Sequence, residues 1–219
     1  MSYRLREGVT FCLTSERYVF LDLVRDRYFC LAPTAERAFA QLVEGSTSGD
    51  ERSLQSLIRD GLLVEDKHCS SPEPSALLIP PTRSLLDDPH PPVRRRTVGE
   101  ALAARLASSF ALKVAGLERV LRRTGRRPHQ SQSSGTVPSS AGLVAAALSS
   151  SSLIVASRNQ CLCMSLAAAR MLRARRVPSL LVLGVKLRPF QAHCWVQVGD
   201  AIVTDRLDVV RNFTPIRVV

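Results

Sequence analysis

Residues 68–97, HCSSPEPSALLIPPTRSLLDDPHPPVRRRT, hold seven of the chain's thirteen prolines. Proline fixes its own φ, lacks a backbone donor and pushes the preceding residue to extended geometry. A helix or a central strand therefore cannot run through this stretch, and its composition predicts a semi-rigid, extended linker. The chain is expected to divide into a module over 1–67, the linker over 68–97, and a second module over 98–219. A length of 219 residues allows one large domain or two small ones. Charge divides in the same way. Residues 1–80 carry 9 basic and 12 acidic side chains, whereas residues 81–219 carry 21 and 7. Such asymmetry points to modules with different partners. The basic half could meet nucleic acid, a membrane surface or an acidic protein. Its arginines sit in helix ends and loops without the interleaved aromatic rings that base stacking requires, so an acidic or protein partner is expected and nucleic acid is not.

The first module reads as strands followed by helices. VTFCL (9–13), YVFLDL (18–23) and RYFCLA (27–32) are short runs rich in β-branched and aromatic residues. Val24-Arg25-Asp26 is a turn that makes a hairpin of the second and third. Pro33-Thr34 opens a helix over 35–44, which Gly45 stops, and a second helix is expected over 51–60 with Leu54, Leu57 and Ile58 inward. This is a small α+β module of winged-helix type. An aromatic fraction of 5% predicts mostly aliphatic cores.

In the second module Thr97 and Glu100 have the spacing of a capping box. A long helix is expected to follow to about Arg123, burying Leu102, Leu106, Phe110, Leu117 and Leu121 on one face. TGRRPHQSQSSGTVPSS (124–140) reads as a polar loop, and AGLVAAALSS as a short helix. A helix from about Cys161 to Arg175 then buries Leu162, Leu166, Ala169 and Leu172, and Pro178 ends it. SLLVLGVK (179–186) and QAHCWVQV (191–198) are strands, and Gly199-Asp200 turns the chain into AIVT.

These elements assemble a recognisable set of groups. Cys161 lies in the first turn of its helix, where unpaired N–H groups and the macrodipole favour a thiolate. A lone cysteine is more often a buried filler. Here, however, a strand histidine, His193, and a carboxylate one strand on, Asp205, follow it in the order of a Cys-His-Asp nucleophilic site. Cys163 is turned about 200° around the helix from Cys161 and reads as packing. On the strand, His193, Trp195 and Gln197 share one face, and Ala192, Cys194 and Val196 the other. A two-residue hairpin would set Asp205 opposite Cys194 and aim it away from His193. An odd loop or bulge pairing Trp195 with Asp205 is therefore expected. His68, His90 and His129 fall in the linker or loop. Zinc is disfavoured, because each close cysteine pair or His-Cys pair points to opposite faces. MSYRLREGVTF has no apolar signal core and no window reaches 18 uncharged apolar residues, so a cytoplasmic protein with reduced thiols is expected.

CLCMSLAAARMLRARRVPSLLVLGV and PFQAHCWVQVGDAIVTD resemble the transglutaminase-like (papain-like) leader peptidases of lasso peptide biosynthesis, the B proteins. Cys161, Leu162, Ser165 and Ala167 match the family's nucleophile segment. Leu181, Gly184 and Val185 match its strand, and His193, Trp195, Val196, Val198 and Asp205 match its last block. Met164 and Gln197 depart from it. The first module is similar to the leader-recognition domains of modified-peptide pathways, through Leu31-Ala32-Pro33-Thr34 and Asp60-Gly61-Leu62-Leu63-Val64.

The resemblance implies a fused leader-recognition domain and cysteine peptidase. In such proteins the leader of a ribosomal precursor peptide adds a strand beside the third strand and the last helix. Here that means Tyr28, Phe29, Cys30 and Leu31, with Leu54, Leu57 and Ile58. Cys161 would be the nucleophile, His193 the general base and acid, and Asp205 the group orienting it. No cofactor is implied for this chain. The implied partner is a lasso cyclase of asparagine-synthetase-like type, which would use ATP. Two other readings remain open: an acyltransferase or transglutaminase with the same triad, and a non-catalytic peptide-binding adaptor.

Overall fold

The computed structural model describes residues 3–45, 51–66, 71–74, 78–89, 92–125, 137–152 and 160–219. His68, His90 and His129 lie outside the described residues, as do most of the polar loop and part of the proline-rich stretch. The chain forms two compact units, Met1–Ala76 and Leu77–Val219, each α+β.

In the first unit β2 (Val9–Thr14), β3 (Arg17–Asp22) and β4 (Arg27–Cys30) form an antiparallel sheet in the order β2-β3-β4. The expected hairpin joins β3 to β4, with Asp22 opposite Arg27. Among the described residues β4 pairs only with β3, at the edge of this sheet. Two helices follow, α1 (Pro33–Val43) and α2 (Glu51–Arg59). The sequence did not signal β1 (Tyr3–Leu5), which pairs with β5 (Leu63–Glu65) in a separate two-stranded ribbon. Strands of three residues are too short to show a period.

The core of this unit is aromatic, against the expectation drawn from the average composition. Phe39 of α1 meets the rings of Phe11, Tyr18 and Phe20 edge-on at 4.9–5.3 Å between centroids, and Phe20 stacks on Phe29 at 5.2 Å. Edge-to-face and offset pairs at such distances add to the burial term. Glu36 clips α1 to β3, accepting from Arg17 Nε at 2.7 Å and from the Tyr18 N–H at 2.7 Å.

In the second unit α3 (Arg95–Thr124), α4 (Ser139–Ser152) and α5 (Gln160–Ala174) precede most of a five-stranded sheet. The sheet comprises β6 (Arg83–Ser84), β7 (Leu180–Lys186), β8 (Gln191–Val198), β9 (Ala201–Ile202) and β10 (Thr214–Val218), in the order β10-β7-β8-β9-β6. All neighbours are antiparallel except β6 and β9. α5 lies against β8 and β7 on one side and against α3 and α4 on the other. It is consequently buried nearly all round, from Cys163 to Leu172, rather than along the single expected stripe. Trp195 belongs to a cluster with Val182, Ile202 and Val210, the last from the short helix α6 (Leu207–Val210).

Three expectations are corrected here. β6 comes from the proline-rich stretch, which therefore supplies a strand at the sheet's edge as well as a connection. α3 begins at Arg95 with no side-chain cap, and Glu100 pairs with Arg175 at 2.9 Å instead of capping. α3 also breaks at Gly116 (φ 75°), and Leu106 and Phe110 are 61% and 68% exposed. The buried line of α3 is Ala101, Arg105 and Ser108, then Leu117 and Leu121. Small residues on this line meet the alanine-rich α4 and α5, and the Arg105 Nη1 donates to the Ser151 carbonyl at 2.7 Å near the end of α4. A cation there complements the negative end of that helix.

Candidate functional site

Cys161 is the second residue of α5, in its first turn, and is half-buried. The backbone N–H groups of Leu162, on the same turn, and of Cys194, on β8, are near enough to favour its thiolate. His193 is the third residue of β8, its side chain 14% exposed, and its ring is near enough to Cys161 for the two to shift each other's titration. Its Nε2 is 2.5 Å from Asp205 Oδ2. With Nε2 so engaged, Nδ1 is the ring nitrogen left for the thiol. The ring packs against Phe213 at 4.9 Å and Trp195 at 6.4 Å between centroids. His193 is the one histidine among the described residues.

The electrostatics follow from these contacts. Burial pushes the Cys161 thiol up, but the hydrogen bond and charge of His193 and the two backbone N–H groups outweigh it, leaving the thiol below its ordinary value. Burial by itself lowers His193, but hydrogen bonds to Asp205 and Cys161, with their charges, raise it to about 9. A lowered thiol beside a raised imidazole shifts the balance from the neutral pair toward thiolate and imidazolium. The other nearby thiols go the opposite way. Burial drives Cys163 up, and drives Cys194, which is sealed in the core, much further up. Neither has a thiolate to offer. All five described cysteines are free.

The route by which Asp205 reaches His193 differs from the expected register. The hairpin has the two-residue turn, with Val198 opposite Ala201 and Gln197 opposite Ile202. That register, prolonged, would set Asp205 opposite Cys194. Instead the ladder ends at Ile202 and the chain bends over 203–205. Two hydroxyls that sequence reasoning missed act at this bend. Thr204 Oγ1 accepts the Val196 N–H at 3.0 Å, and Ser84 Oγ donates to the Asp205 carbonyl at 2.6 Å. Ser84 lay in the presumed linker, where nothing in its surroundings marks it. Phe213 carried no signal either.

Gln197, where an acid is usual in the resembled family, is fully buried. Its Nε2 donates to the carbonyls of Ile79 and Gly199, both at 2.7 Å. A neutral amide suits that burial, and it braces the 78–82 segment rather than facing a substrate. In the first unit Phe29, Leu31, Leu54 and Ile58 are partly buried against the core, Tyr28 is half-buried, Cys30 is exposed, and Leu57 is 2% exposed as part of the core itself. Leu57 therefore supports that surface from beneath.

Among the described residues no group of three or more His, Cys, Asp or Glu is arranged to hold a metal ion, and no helix is long and apolar enough to cross a membrane. No solved structure matches the chain. It is 40% identical over 48 residues to the Microcin J25-processing protein McjB of Escherichia coli, a match covering 22% of this chain and 23% of that protein. The family model described as the transglutaminase-like superfamily matches residues 104–218, which include α5, β7, β8 and the bend carrying Asp205. The chain belongs to the transglutaminase-like superfamily.

Proposed function

We propose that this protein is a cysteine endopeptidase that binds the leader of a ribosomal precursor peptide and cleaves it from the core during lasso peptide maturation. The observation that supports this reading is the 2.5 Å contact of Asp205 Oδ2 with the ring of His193, which also acts on the Cys161 thiol. Family membership and the similarity to a microcin-processing protein support the substrate class.

In this mechanism the Cys161 thiolate attacks the carbonyl carbon at the leader–core junction. The oxyanion is met by N–H groups at the start of α5. His193 gives its proton to the leaving amine, which departs as the free N-terminus of the core, and the leader remains as a thioester. Water, deprotonated by His193, then releases the leader acid and restores the thiol. Asp205 fixes the ring and stabilises its charged form. The leader adds a strand at the β4 edge, along Tyr28–Leu31, with Leu54 and Ile58 of α2 flanking it. The released core passes to an ATP-using cyclase.

The test is mass spectrometry of a lasso precursor incubated with the protein and with Cys161→Ala, with and without the cyclase. The expected outcome is a single cut by the wild type alone, with leader binding retained by the variant. Cleavage by Cys161→Ala overturns the mechanism. A precursor left intact in every tube despite leader binding favours an adaptor. The family's transglutaminase-like description makes acyl transfer the second reading, and an amine-linked leader in place of the leader acid would identify it.

A further inference from the structure

We infer that Thr204 is the positioning residue that delivers Asp205 to His193, by replacing one rung of the β8–β9 ladder with its own hydroxyl. The inference rests on the reading of Cys161, His193 and Asp205 as a triad.

Directly opposite residues of an antiparallel pair share a face. With Val198 opposite Ala201, continuing the ladder would put Val196 opposite Val203 and Cys194 opposite Asp205. The carboxylate would then emerge on the face that Cys194 takes, away from His193. The first half of the Val196–Val203 rung is present, since the Val203 N–H donates to the Val196 carbonyl at 2.8 Å. The second half is not. The Val196 N–H, whose ladder partner would be the Val203 carbonyl, donates to Thr204 Oγ1 at 3.0 Å. A side-chain oxygen from the next residue has taken the carbonyl's place. The strand is released from register there, without leaving a buried donor unpaired.

Two neighbours hold the exchange in place. Ser165 is fully buried, and its hydroxyl lies 3.5 Å from Thr204 Oγ1 and donates to the Cys194 carbonyl at 2.9 Å. Ser165 stands four residues after Cys161, on the same side of α5. The Cys194 peptide is thus tied to α5 through its C=O, which accepts from Ser165, while its N–H lies near the Cys161 sulfur. Beyond the bend, Ser84 holds the Asp205 carbonyl and the Arg206 N–H donates to Asp205 Oδ1 at 2.7 Å, which leaves Oδ2 for His193. Thr204 therefore links the helix that carries the nucleophile to the bend that carries the acid.

The experiment compares wild type, Thr204→Val, Thr204→Ser and Asp205→Asn in the full-length protein. Valine keeps the shape of threonine and removes the acceptor; serine keeps the acceptor. The charged groups acting on the ring are Asp205 and Cys161, so loss of the Asp205 contact lowers the His193 titration. That titration is followed by NMR of the imidazole, identified by its loss in His193→Gln, and needs no substrate. Thr204→Val is expected to move it down toward the value in Asp205→Asn and to lower kcat about 100-fold, with KM little changed. Thr204→Ser is expected to restore both. An unmoved titration in folded Thr204→Val overturns the inference whatever the rate does. If Thr204→Val does not fold, the same titration is read in Ser165→Ala and Ser84→Ala, and wild-type values in both overturn it. A wild type that cleaves nothing but shows the shift refutes the peptidase reading and leaves the positioning role standing.

Discussion

Cys161 and His193 stabilise each other's charge, so their titrations should appear in the rate. The thiol is lowered and the imidazole is raised to about 9. In the proposed mechanism the imidazolium gives its proton to the leaving amine; that proton is lost as pH rises through about 9, so kcat/KM is expected to fall there. Asp205→Asn should move this limb to lower pH and reduce kcat about 10²- to 10⁴-fold, by analogy with loss of the orienting carboxylate in serine proteases. A pH–rate series on both proteins checks it. The same shift has a sign for stability. A group whose folded pKa is raised contributes fully below its ordinary value near 6.5, and that contribution is lost as pH rises through about 9. At this scale the placement of Cys161 in a helix's first turn and of His193 on a strand was legible from residue type, order and element. The register of Asp205 was not, because pairing rules count backbone rungs and cannot show that the Thr204 hydroxyl stands in for one.

Among the elements, β7 and β8 are coupled through a position with no side chain. Gly184 lies opposite His193, and a Cβ there would meet the Trp195 ring at 2.6 Å and Phe213 Cβ at 3.0 Å. The same two rings flank the imidazole. Gly184→Ala must therefore push Trp195 or Phe213 aside. It is expected to destabilise the second unit by about 1–3 kcal/mol and to lower kcat beyond what the stability loss explains. Trp195, the chain's one tryptophan, reports both the unfolding midpoint and any change in ring packing through its fluorescence. A variant with wild-type midpoint and emission would show that the rings yield without cost. Strands β2 to β4, β7 and β8 were readable from β-branched runs and turn residues. α3 was read too simply. Its apolar spacing selected Leu106 and Phe110, whereas close packing against α4 and α5 selected Ala101 and Ser108, which allow the helices to approach. Hydrophobicity alone cannot rank those two demands.

At the scale of the molecule, average composition concealed an uneven distribution. Phe11, Tyr18, Phe20, Phe29 and Phe39 build the first unit's core, while the second is packed mainly with alanine, valine and leucine. The proline-rich stretch likewise has two characters. Its described residues before Arg95 are not helical, but residues 82–85 run beside β9. The Thr82 N–H donates to the Asp200 carbonyl at 2.9 Å, the Leu85 N–H donates to the Ile202 carbonyl at 2.8 Å, and Leu85 is buried. A chain cut to begin at residue 98, as composition alone would advise, loses these bonds, the Leu85 side chain, the Ile79 brace on Gln197 and the Ser84 clamp on Asp205. Burying a leucine is worth about 2 kcal/mol and each hydrogen bond about 1 kcal/mol, so the shortened unit should be less stable by at least about 3 kcal/mol. Denaturant unfolding followed at Trp195 should show the loss against a chain beginning at residue 77. The His193 titration in the shortened chain should fall as Asp205 loosens. Equal midpoints for the two chains would mean that residues 78–89 serve only as the tether their composition suggests.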